Sequence, residues 1–132
     1  MPSFGSKSLS NRGTIHPKLK ELVDEAIAIV DFSIIWGHRD EAAQNAAFDS
    51  GASKAKWPHS RHNVLPSRAI DIIPYPSGWR DIPQFYRLAG VIQALAYKLD
   101  LSIRWGGDWD SDGDFSDQLF NDLAHFELGA EE

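Results

Sequence analysis

This chain of 132 residues has five histidines and no cysteine, which bounds its chemistry at once. Thiolate nucleophiles, disulfides and Cys-type zinc sites are excluded, so any metal must be held by His, Asp or Glu. Two segments carry candidate ligands. In SRHNVLPSRAID (60–71), His62 sits in a stretch rich in Pro and Ser, and Asp71 sits inside an apolar run with Ala69, Ile70, Ile72 and Ile73. A carboxylate there is costly to bury unless a metal or an arginine compensates it; Arg68 is one candidate. In NDLAHFEL (121–128), His125 stands beside Phe126 and three residues after Asp122. It fits either a hydrogen-bonded core histidine or a metal ligand. Two His and one Asp would make an open zinc site, with the fourth position left for water. Such a centre acidifies water and polarises a carbonyl. Asp122 would take the proton of that water and pass it to a leaving amine.

A second cation pattern follows. Residues 108–114 read DWDSDGD, the opening of a calcium loop, with Gly113 at its turn. Side-chain oxygens of Asp108, Asp110 and Asp112 and the backbone oxygen of Asp114 would converge on a hard cation. Leu119 stands where the closing glutamate belongs, and Asp117 is the available substitute. The competing reading is an acidic, solvated loop.

Charge narrows the partners. The net charge is −6, and ten of the 19 acids lie from Asp100 onward, where Arg104 is the only base. Nucleic-acid binding needs a basic footprint and is not expected. No apolar run approaches the ~20 residues of a membrane span, so membrane insertion is not expected. The start, MPSFGSKSLS, has no apolar core of a secretory signal, which predicts synthesis and retention in a cytosol.

The elements that must position these residues can be read from periodicity. Residues 1–13 are polar and predict a loosely held arm. Pro17 opens a helix carrying Leu19, Leu22, Val23, Ala26 and Ile27 at helical spacing. Residues 32–36 read as a strand. Asp40 caps a helix over 41–48 that stops at Ser50-Gly51. Residues 51–68 have no period and predict a long loop. Residues 69–73 read as a buried strand, Pro83 opens a helix with Leu88, Ile92, Leu95 and Leu99 on one face, and 101–105 and 125–128 are short strands. The expectation is one α+β domain over 1–132, a small, mostly antiparallel sheet with helices against one face.

Taken together, Ser60-Arg61-His62, Ala69-Ile70-Asp71 and Asp122-Leu123-Ala124-His125 resemble the signature of the zinc D-Ala-D-Ala carboxypeptidase and L-alanyl-D-glutamate peptidase family. GHRDEAAQNAAF (37–48) is similar to the family's Gly-x-Arg stretch, and LSIRWGGDW (101–109) looks like the approach to the last ligand in phage and prophage members. The likeness runs from about Pro17 to Leu128. It implies that His62, Asp71 and His125 bind Zn²⁺ and that Asp122 is the general base and then the general acid. It implies that Arg39 stabilises the oxyanion or holds a substrate carboxylate, and that Ser60 and Gln44 support the site or the substrate. Gln44 could also simply face solvent. The commoner family pattern has six residues between the His and the Asp; here eight intervene. The rival pair His59 and His62 has no helical face to enforce it. His16 and His38 read as solvent or capping residues.

The resemblance further implies a hedgehog-like fold and a phage or prophage endolysin, monomeric, cutting the L-Ala–D-Glu bond of bacterial peptidoglycan. Such a lysin waits in the host cytoplasm until the membrane is breached. A D-Ala-D-Ala carboxypeptidase is the near alternative. A non-enzymatic binding or virion module is the alternative from another class; it would need the three ligands but not Asp122.

Overall fold

Pro17 has no amide proton to lose, so it opens helix α2 (Pro17–Ile27), and His16 caps it by accepting from the Lys18 N–H at 3.1 Å. In the computed structural model, which describes residues 2–114, 116, 122–130 and 132, this helix buries Leu19, Leu22, Val23 and Ala26. Helix α4 (Ile82–Lys98) lies against it and buries Phe85, Leu88, Ala89, Ile92, Leu95 and Ala96. Both stripes follow the 3.6-residue period.

Four strands complete the core: β1 (Phe32–Trp36), β2 (Ala69–Pro74), β3 (Ile103–Gly106) and β4 (Asp122–Leu128). They form one antiparallel sheet in the order β1-β2-β4-β3. The period-2 alternation of strands divides the side chains between two faces. Ile70 and Ile72 of β2 and Phe126 and Leu128 of β4 join α2 and α4 in a single core cluster. Asp71, His125 and Glu127 alternate with them, so they take the opposite face. The register pairs Asp71 directly with His125. The α+β expectation is met.

Three details differ from the expectation. The first 13 residues, expected as an arm, contain helix α1 (Ser6–Arg12). No apolar period announces it, because polar groups hold it. Ser8 Oγ accepts from the Ile34 N–H at 3.0 Å, and Asn11 Nδ2 donates to the Ile34 carbonyl at 2.7 Å. These bonds occupy the outer edge of β1, which would otherwise expose unpaired backbone. The last strand starts at Asp122 rather than at His125, so Asp122 is itself a strand residue paired with Gly106. The strand expected over 101–105 runs instead over Ile103–Gly106. Asp40 caps helix α3 (Glu41–Asp49) as expected, accepting from the Ala43 N–H at 2.8 Å.

Candidate active site

His62 is carried by a short 3₁₀ turn, Arg61–Asn63, in the long loop before β2. Ser60 caps that turn: its hydroxyl accepts from the His62 N–H at 3.2 Å, while the Ser60 N–H donates to Asn63 Oδ1 at 3.0 Å. The two extra residues between His62 and Asp71 are absorbed in this loop, where Val64 and Leu65 lie exposed, and Asp71 stays in its strand.

His62, Asp71 and His125 meet in one buried cluster. His62 Nε2 lies 3.2 Å from Asp71 Oδ1 and 3.3 Å from His125 Nδ1; His125 Nδ1 lies 3.2 Å from Asp71 Oδ1. The outer nitrogens fix the tautomers. His62 Nδ1 faces the Gly37 carbonyl at 2.7 Å, and His125 Nε2 faces Glu127 Oε1 at 2.8 Å. Both partners only accept, so both outer nitrogens carry protons. In the neutral rings the inner nitrogens then present lone pairs to each other and to a carboxylate oxygen. Three acceptors this close need a cation between them. A tetrahedral centre with bonds of about 2.0–2.1 Å separates its ligands by about 3.3 Å, so this triangle fits a zinc-sized ion. The Glu127–His125 pair is the carboxylate–histidine arrangement that orients metal-ligating imidazoles.

Electrostatics agree with that geometry. Burial pushes the Asp71 carboxyl up, but the His62 charge and hydrogen bonds from both imidazoles outweigh it and hold it well below the usual carboxylate range. Burial pulls His125 down, but hydrogen bonds to Asp71 and Glu127 and the nearby carboxylate charges raise it to about 9. Without a metal, a proton on His125 therefore takes the cation's place. Burial and the Asp71 charge push Asp122 up to about 6.

The compensating arginine of Asp71 is Arg39, not Arg68. Arg39 donates to Asp71 Oδ2 at 2.9 Å and to Gln44 Oε1 at 3.1 Å, and its guanidinium lies 5.0 Å from the Trp36 ring centre. Its Nε is buried and has no hydrogen-bond partner among the described residues. Arg68 instead donates to the Gly129 carbonyl. Gln44 does not face solvent: it is fully buried, donating to Ser53 Oγ and the Ala55 carbonyl and accepting from Arg39 and Asn63. It ties the long loop to the guanidinium behind Asp71.

The cluster opens into a cleft of about 400 Å³, lined among others by Arg39, Ser60, Asp122 and His125. His59 lines the same cleft but is no part of the cluster. Asp122 reaches the cleft because Gly106 lets the strands approach; a Cβ at Gly106 would lie 2.1 Å from the Asp122 carbonyl oxygen.

In the acidic loop, carboxylate oxygens of Asp108, Asp110 and Asp112 lie within 4.8 Å of one another. The loop's own amides already use them. Asp108 accepts from the Asp112 and Gly113 N–H groups, and Asp112 accepts from the Asp114 N–H. The Asp114 carboxylate accepts from the Ser116 N–H and hydroxyl; the ligand expected at that position is its backbone oxygen, not this carboxylate. Asp117 lies outside the described residues.

A model of the phage L-alanyl-D-glutamate peptidase family matches residues 2–129. This chain belongs to that family. It is 31% identical over 135 residues to the L-alanyl-D-glutamate peptidase of Escherichia phage T5, covering 95% of this chain and 96% of that one. The fold is that of the Serratia marcescens L-Ala D-Glu endopeptidase ChiX. The match has a TM-score of 0.75 at 24% identity and covers 98% of this chain and 92% of that one.

Within this phage peptidase family member, one site residue escaped the sequence reading and another was noted without its role. Glu127 was legible in principle, since a residue two beyond His125 shares its face of a strand. Gly37 lends its carbonyl to His62, and a Cβ there would lie 2.3 Å from Thr14 Oγ1. That packing is set by the unexpected α1 and the turn after it, so the Gly-x-Arg stretch pointed to Gly37 but not to its role.

Proposed function

We propose that this chain is a zinc-dependent endopeptidase that hydrolyses the L-Ala–D-Glu bond in the peptide stem of bacterial peptidoglycan. The observation that carries it is the convergence of three acceptor atoms, on two His and one Asp, beside a carboxylate with a raised pKa, in a member of this peptidase family. His62, Asp71 and His125 would hold the ion. Bound there, zinc would leave one position open, acidify water and polarise the scissile carbonyl.

The protein's own groups do the rest. Asp122 accepts the proton of the attacking water and delivers it to the departing amine of D-Glu. A base pushed up toward 6 suits both halves of that task near neutral pH. Arg39 holds Asp71 in orientation and offsets its charge. It also lines the cleft, which supports the expected interaction with the developing oxyanion. Ser60 and Gln44 hold the loop that presents His62.

On this reading the chain accumulates in the host cytosol and reaches the wall once the membrane is breached, acting as a monomer. No described helix is long and apolar enough to cross a membrane. The calcium expectation rests on the DxDxDG pattern and the 4.8 Å approach of its carboxylates. A calcium titration that leaves melting temperature and activity unmoved would reduce it to a self-capped turn.

The test is mass spectrometry of purified peptidoglycan after incubation with the protein, with and without a zinc chelator. Glycan strands retaining only L-Ala, with released peptides beginning at D-Glu, are expected. Loss of terminal D-Ala would reassign the chain to carboxypeptidase action. No cleavage by zinc-loaded protein, with or without calcium, would favour a binding module.

A further inference from the structure

One wall of the cleft holds an arrangement that the proton chemistry does not use. Arg104, on β3, donates from Nη2 to Glu127 Oε2 at 2.9 Å. Arg61, next to His62, brings its Nε to 3.6 Å from the same oxygen. Two guanidiniums thus converge on a single carboxylate oxygen, and the other oxygen of Glu127 is already bound by His125. Glu127 is nearly buried, while the side chains of Arg61 and Arg104 keep 38% and 49% of their exposure. The buried carboxylate is the anchor and the arginines are its solvent-facing side.

Arg104 is also fixed from beneath. Its guanidinium lies 5.2 Å from the Trp109 ring centre, and the Trp109 ring packs against His125 with centres 5.4 Å apart. Stacking on an aromatic face and pairing with a carboxylate leave an arginine little freedom, so it meets a ligand already oriented. The chain as a whole carries −6, yet this wall gathers positive charge that one carboxylate does not balance. Guanidinium forks of this kind recognise carboxylates.

Resting on the endopeptidase reading above, we propose that Arg104, with Arg61 beside it, is the subsite for the free carboxylate of the residue that follows the scissile bond. A D-Glu at that place is joined onward through one carboxyl group only. When its side-chain carboxyl makes that link, its α-carboxylate is free and stands one carbon from the scissile nitrogen. This pair of arginines, one carboxylate away from His125, would offset the charge of such a group beside the reacting bond. The subsite therefore selects stems with a free α-carboxylate over stems in which that group is an amide.

The experiment compares steady-state cleavage of two soluble stem peptides, L-Ala-D-Glu and its α-amide, by the zinc-loaded wild type and by Arg104→Gln and Arg61→Gln. The wild type is expected to favour the acid by tenfold or more in kcat/KM, chiefly through KM. Arg104→Gln is expected to bring that ratio close to one by losing the acid substrate selectively, with Arg61→Gln having a smaller effect. A wild type that cuts both peptides equally overturns the subsite while leaving the endopeptidase reading intact. A parallel loss on both peptides also overturns it, because it would mean the arginines act only through Glu127 and His125. Failure to cut either peptide, or whole peptidoglycan, would instead count against the endopeptidase reading.

Discussion

His62 Nε2 and His125 Nδ1 face each other at 3.3 Å, and each ring spends its proton on the opposite side, on the Gly37 carbonyl and on Glu127. The pocket is therefore built for a positive charge and takes a proton when no metal is present. His125, raised to about 9, carries that proton at neutral pH. A metal must displace it, so about one proton is released per ion bound at pH 7. Apparent zinc affinity is expected to rise about tenfold per pH unit from 7 toward 9 and then flatten. Calorimetry in buffers of different ionisation enthalpy reads the proton directly.

The same proton predicts the pH dependence of the metal-free fold. Its folded pKa lies above the ordinary 6.5, so the folded state binds the proton more tightly than the unfolded chain. The stability it contributes is fully present below pH 6.5 and is lost as pH rises through about 9. Thermal melts of chelated protein are expected to fall across that window, and melts of zinc-loaded protein are expected to stay flat there.

Glu127→Gln keeps the shape but weakens the acceptor that orients His125. Zinc affinity is expected to fall 10- to 100-fold, the range seen when such supporting carboxylates are lost. Competition with a chromophoric chelator measures it. An affinity within twofold of wild type would remove Glu127 from any role at the centre.

Asp122→Asn is expected to retain zinc and to lose turnover by about 10²- to 10⁴-fold. The wild type should lose activity as pH falls through about 6, where the base takes up its proton. That acid limb should be missing from the residual activity of the variant. A pH–rate profile that keeps the limb in Asp122→Asn would assign it to another group.

Gly106→Ala tests how Asp122 is positioned. The added methyl would stand 2.1 Å from the Asp122 carbonyl oxygen and 2.8 Å from its Cβ, so β3 and β4 must part locally. A stability loss of about 1–3 kcal/mol is expected from such overpacking. Turnover is expected to drop while zinc stays bound, since no donor atom belongs to Gly106. Denaturant unfolding and metal content separate the two effects.

The candidate donors and the candidate proton-transfer group stood out in the sequence because each sits in a pattern that physics makes unusual. Asp71 interrupts an apolar strand, and Asp122 and His125 lie three apart beside another. The α2 and α4 stripes were legible for the ordinary reason that burial imposes a period. Helix α1 was not, because it is held by Ser8 and Asn11 binding the backbone of a strand some 23 to 26 residues away. Gln44 and Arg39 were named, but their partners lie on the long loop and on β2, which no spacing within 37–48 can reveal. Glu127 looked like one more acid in an acidic half of the chain until its strand gave it a face.

The sheet order β1-β2-β4-β3 puts the last strand in sequence between two strands that precede it. His62 and His125 are 63 residues apart, and Asp71 and His125 are 54 apart. Contacts this distant are made late and closed at an entropic cost. Until β4 docks, the sheet has no centre, two rather than three of the candidate metal donors are in place, and Asp122 has no cleft to line. Folding and arming are thus a single event. A chain cut short before β4 is expected to be inert rather than weakly active.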